Sequence, residues 1–177
     1  MKKILIILAL IVQGLIIYFL QVNAFSYLTI AGIKPNLLVI YILCIGLFAN
    51  SYVGIGLGTF FGLLLDLLFG KVIGVSAIML CIIGYLGSYF DKNFSKDNKI
   101  TIILMAMGAT VIYEFGCYFV SSIILNFDAE YWVLIKKIVI EVIYNSLLVI
   151  IFYPLIQKIG YWIDRNFKKN NILTRYF

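Results

Sequence analysis

The chain has 177 residues, of which 64% are hydrophobic and only 12% charged, with a net charge of +6. An ordinary soluble domain carries roughly 25% charged residues, and a chain this short cannot hide so much apolar side chain from water. The composition therefore excludes a soluble fold and predicts an integral membrane protein. The basic residues lie in short clusters between apolar runs, which suits anionic lipid headgroups rather than nucleic acid.

A spanning helix needs about 20 mainly apolar residues. Lys2 and Lys3 precede the first run, 4–21. It is longer than the roughly 7–15 residues of a signal-peptide core, and no small-residue cleavage site follows, so it reads as a retained first helix. The stretch from Pro35 to Gly70 carries one charge, Asp66. As one helix its 36 residues would reach about 54 Å, against a hydrocarbon core of about 30 Å. Two spans, 36–50 and 53–69, turning at Ala49-Asn50-Ser51, fit better. Spans 74–90, 100–125 and 138–157 follow.

Charge gives an independent test, because cytoplasmic loops are enriched in Lys and Arg. With six spans and both termini inside, Lys2, Lys3, Lys92, Lys96, Lys99, Lys158, Arg165, Lys168, Lys169 and Arg175 are cytoplasmic. Only Lys34, Lys71, Lys136 and Lys137 lie outside. Fusing the second and third spans reverses the bias, to five inside and nine outside. The expected fold is a single all-α bundle of six transmembrane helices, N-in/C-in. The tail 158–177 is basic. Within it Ile159, Trp162, Ile163 and Phe167 recur at helical spacing, the pattern of an interfacial amphipathic helix or of a helix end followed by a disordered basic tail. Lys158, Arg165, Lys168 and Lys169 would then contact lipid headgroups.

Three carboxylates fall inside spans, and each must be accounted for because a charge near the bilayer centre costs about 2.5–3.5 kcal/mol on insertion scales. Glu114 sits near the middle of the fifth span, either in an interhelical hydrogen bond or as a binding or coupling residue. Asp66 lies near the outer end of the third span and Glu141 near the outer start of the sixth. Tyr144 and Asn145 follow Glu141 at i+3 and i+4, on the same side of the helix. Asp66, Glu141, Tyr144 and Asn145 are thus expected to form a polar cluster toward the outer leaflet, with Lys71, Lys136 or Lys137 as neutralising partners, unless each carboxylate simply reaches the interface alone. Gly54, Gly58 and Gly62 form a tandem GxxxG, a helix-packing face for another helix of this protein or of a partner.

Catalysis is not expected. The chain has no histidine, so the commonest general base and metal ligand are missing. Cys44, Cys81 and Cys117 lie far apart in apolar runs, and neither a metal site nor a cofactor is indicated.

Several segments resemble one family in order and spacing. Lys34-Pro35-Asn36-Leu37-Leu38 is similar to the opening of the second helix in MreD, the bacterial rod shape-determining membrane protein. So are Gly62-Leu63-Leu64-Leu65-Asp66 with Gly70 and Gly74, then Ile83-Gly84-Tyr85, and Glu141-Val142-Ile143-Tyr144-Asn145 with Pro154. Asn36 departs from the acidic residue of many members. The resemblance implies a non-enzymatic multi-pass protein of the bacterial cytoplasmic membrane. Its implied partners are MreC and, through it, MreB, a RodA-type glycosyltransferase and a class B penicillin-binding transpeptidase. It further implies a fold similar to the membrane substrate-binding subunits of energy-coupling-factor transporters. That likeness supplies the alternative function, a small-molecule-binding transport subunit; a lipid-binding or lipid-handling protein, equally served by the outer-leaflet cluster, is a third.

Overall fold

The computed structural model describes residues 2–23, 29–70, 72–94, 98–126 and 130–167. They form six α-helices: α1 Lys2–Val22, α2 Leu37–Phe48, α3 Ser51–Phe69, α4 Val75–Asn93, α5 Lys99–Leu125 and α6 Tyr131–Phe167. Five are long and apolar enough to cross a membrane, and α2 is the shorter exception.

The expected span 36–50 thus contains a helix of 12 residues. That is about 18 Å of helix, short of the roughly 30 Å hydrocarbon core. Ten of its residues are buried, and it touches all five other helices. A helix that is apolar all round belongs in the interior, and α2 is the hub of the bundle. The turn after it falls where Asn and Ser predicted it. Asn50 caps α3, its side chain accepting from Val53 N at 2.9 Å.

Close backbone approach joins α2, α3 and α4. A Cβ placed on Gly54 would lie 2.7 Å from the Gly84 carbonyl oxygen and 2.9 Å from the Gly46 Cα. At Gly58 it would overlap the Leu80 carbonyl, and at Gly62 the backbone of Ala77. The tandem GxxxG is therefore a packing face as expected, but its partner is α4 of the same chain. It is covered, and offers no surface to a second protein.

Helix α6 is longer than its predicted span, 37 residues with Pro154 inside, or about 55 Å. The stretch expected as a separate interfacial helix continues it. Its apolar residues do not all face lipid: Ile163 is buried, and Ile159 and Phe167 pack against the core. Gly160 lies under the Phe48 ring, and Tyr161 meets the same ring edge-on at 5.9 Å. The end of α2 is what draws this segment inward. Trp162, Lys158 and Arg165 remain exposed. Lys168 and Lys169 lie outside the described residues.

Candidate functional site

Asp66 lies in the last turn of α3 and is 3% exposed. Its Oδ2 accepts from the backbone N–H of Gly74 at 2.8 Å and of Ala77 at 3.3 Å; Oδ1 accepts from Ser76 N at 3.2 Å. The first amides of a helix have no partner within it, and the α4 N-cap, Gly74, has no side chain to supply one. Gly74 adopts φ +100°, a left-handed conformation open to glycine at little cost. Asp66 therefore clasps the α3–α4 turn. Its hydrogen bonds run to α4, and none joins it to Glu141. The expected grouping of these two carboxylates is not what the hydrogen bonds display. Lys71 lies outside the described residues.

Glu141 instead shares its surroundings with Glu114. Lys137 on α6 forms an ion pair with Glu114 on α5, and Glu141 lies one turn beyond Lys137, within electrostatic range of both. Glu114 is 4% exposed and Glu141 1%. Glu141 Oε1 has no hydrogen-bond partner among the described residues. Glu114 thus faces the bundle and meets a polar partner, Lys137.

Asn145, one further turn along α6, bonds in both directions. Its Oδ1 accepts from Asn36 N at 3.0 Å, and its Nδ2 donates to Thr110 Oγ1 at 2.9 Å. Thr110 in turn donates to the Ala106 carbonyl at 2.8 Å. Gln21, at the end of α1, accepts from Leu38 N at 3.0 Å. Asn36 accepts from Val39 N at 3.4 Å. The start of α2 is thus satisfied by side chains from α1 and α6 as well as its own cap. In a bilayer no water stands ready to replace them. Tyr144 is half-buried and packs against the apolar core, beside this network.

Gln21 and Thr110 were not anticipated. Gln21 was visible as a polar residue closing an apolar run. Thr110 lies four residues before Glu114, and hence on its face.

Gln21, Asn36, Glu114, Lys137 and Glu141 line a cleft of about 500 Å³ between the end of α1, residues 31–36, α5 and α6. Its polar walls are Gln21, Lys34, Asn36, Glu114, Lys136, Lys137 and Glu141. Among the described residues, no three His, Cys, Asp or Glu side chains gather as a metal site would require. The cleft offers ammonium groups, one unpaired carboxylate oxygen and amide groups, a set suited to binding.

Residues 1–159 match the family model of the rod shape-determining protein MreD. The chain belongs to the MreD family. This match covers all of α1 to α5 and α6 as far as Ile159, so the whole cleft lies inside it. Comparison with curated proteins and with solved structures gives no match. MreD proteins determine rod shape, and the five long apolar helices agree with a multi-pass membrane protein. The similarity to energy-coupling-factor subunits has no solved structure behind it.

Proposed function

We propose that this MreD-family chain is a non-enzymatic scaffold of the bacterial cell-elongation machinery in the cytoplasmic membrane. It binds MreC and helps organise peptidoglycan synthesis by a RodA-type glycosyltransferase and a class B penicillin-binding transpeptidase along MreB. Family membership over residues 1–159 carries this reading. The Lys and Arg bias orients the chain N-in/C-in, which turns the cleft outward. Because the glycine face is internal, recognition falls to the rim of the cleft. Lys136 is exposed there, Tyr131 and Trp132 are exposed just before it at the start of α6, and large aromatic side chains dominate binding energy at interfaces.

Purification of the tagged chain from native membranes in mild detergent, with mass spectrometry of what accompanies it, tests the reading. MreC with the transpeptidase or glycosyltransferase is the expected recovery, reduced by a Tyr131→Ala, Trp132→Ala double variant. The size of the cleft favours one alternative, a small-molecule transport subunit, since ligand pockets span about 300–1,000 Å³. Recovery of ATP-binding cassette subunits without MreC would establish that alternative and end the scaffold reading.

A further inference from the structure

Next to the polar cleft lies an apolar groove, lined by residues adjacent in sequence to those of the cleft. The groove holds about 350 Å³ on the seam between α1, α2 and α6, from Leu20 and Leu37 at one end to Phe48 and Ile163 at the other. Of its few polar atoms, the Tyr41 hydroxyl is already committed to the Leu10 carbonyl at 2.6 Å. Cleft and groove abut at two places in the chain. Gln21 follows Leu20 on α1, and Asn36 precedes Leu37. The Gln21–Leu38 hydrogen bond holds these two strands of the seam together.

Size and charge identify the occupant. Along α2 the groove runs from Leu37 to Phe48, about 17 Å of helix, close to the roughly 15 Å that one leaflet contributes to the hydrocarbon core. A partner helix about 10–12 Å across with its side chains would not enter a groove of this volume. Nor does the groove offer the small residues on which membrane helices approach each other, since Gly160 is already covered by Phe48. A single hydrocarbon chain fits. At the polar end Lys34 and Lys136 are exposed and Lys137 is half-exposed, so ammonium groups converge on the mouth of the cleft. Behind them lies Glu141 Oε1, buried and unpartnered. An unpaired buried acceptor is costly, and a donor from a bound molecule would satisfy it.

We propose that this seam binds one phospholipid whose headgroup carries a hydrogen-bond donor. The phosphate would lie against Lys34 and Lys136, a headgroup hydroxyl or ammonium would donate to Glu141, and one acyl chain would fill the groove. The proposal concerns a site that the scaffold reading does not require, and it stands if MreC binding fails.

The full chain in mild detergent is titrated with palmitoyl-oleoyl phosphatidylglycerol, the matching phosphatidylcholine, and soluble glycerol 3-phosphate. Native mass spectrometry counts the bound molecules. One saturable phosphatidylglycerol is expected, held up to about ten-fold more tightly than phosphatidylcholine, the upper worth of one hydrogen bond. Lys34→Gln with Lys136→Gln should remove a similar factor of about ten. Cys44 lines the groove and supplies a readout without mutation: phosphatidylglycerol should slow its alkylation by N-ethylmaleimide, and glycerol 3-phosphate should not. Equal affinity for phosphatidylcholine overturns the headgroup assignment. Glycerol 3-phosphate binding as tightly as the lipid, with Cys44 unprotected, means that the cleft takes free phosphate esters and overturns the lipid site. Absence of a saturable one-to-one adduct overturns it entirely.

Discussion

Replacing Asp66 by alanine should destabilise the bundle by about 2–3 kcal/mol, a figure built from the three amides it holds and the roughly 0.5–2 kcal/mol typical of a lost helix cap. The carboxylate bond to Gly74 N, at 2.8 Å, is of charge-assisted length and is worth about 1.5–3 kcal/mol. Those to Ser76 and Ala77, at 3.2 and 3.3 Å, are at the long end of the range and count for less. Gly74 and Ser76 are only half-buried, so solvent recovers part of the loss. Asp66→Asn keeps one acceptor oxygen and should cost about half as much, near 1 kcal/mol. Unfolding by sodium dodecyl sulfate in mixed micelles, followed by circular dichroism, measures both. If Asp66→Ala unfolds within about 0.5 kcal/mol of the parent, below the usual cost of a lost cap, the capping role is wrong. If Asp66→Asn is as damaging as alanine, the negative charge matters for something other than the α4 amides.

Three more predictions address the packing and the polar cluster. Gly58→Val should abolish the folded state, because a Cβ there overlaps the Leu80 carbonyl; Gly56→Ala, with nothing within 4 Å, should be neutral or stabilising by about 0.5–1 kcal/mol, both read from thermal melting in detergent. Asn145→Ala should cost about 1–3 kcal/mol by leaving Asn36 N without its acceptor, whereas the exposed neighbour Ile143→Ala should change little in the same unfolding assay. A short bifunctional thiol reagent should join a Glu114→Cys, Glu141→Cys pair and leave an Asp66→Cys, Glu141→Cys pair unlinked, as seen by mass spectrometry of digested protein; the reverse pattern would restore the outer-leaflet grouping of Asp66 with Glu141.

Much of the fold was legible because membrane helices announce themselves by length and apolarity. Helices α1, α3 and α5 begin and end within about two residues of the expected spans, the usual spread of helix boundaries. The turn at Asn50 is local chemistry and was read correctly. What could not be read was the depth at which a helix sits. The run from Leu37 to Phe48 is as apolar as a lipid-facing span. Only packing reveals that α2 is enclosed by the other five helices. The same blindness affected the end of α6. Ile159, Ile163 and Phe167 have the spacing of a membrane-surface stripe, and a stripe looks the same whether a bilayer or the Phe48 ring covers it.

The candidate site divides along the same line, between what lies within one helix and what lies between helices. The pairing of Glu141 with Asn145 follows from i+4 spacing, and both are buried on one face. The ion pair of Glu114 with Lys137 depends on the register of α5 against α6, which no local pattern encodes. Asp66 could have been read better. Four glycine and small residues, Gly70, Gly74, Ser76 and Ala77, surround the start of α4, and Gly74 has no side chain with which to cap it. A helix start that lacks its own cap must borrow an acceptor, because its first amides have no partner within the helix. The nearest carboxylate in sequence is Asp66, joined to α4 by a turn too short to carry it elsewhere. By that reasoning Asp66 was already committed to α4, and Glu141 was the carboxylate left to meet Glu114 and Lys137.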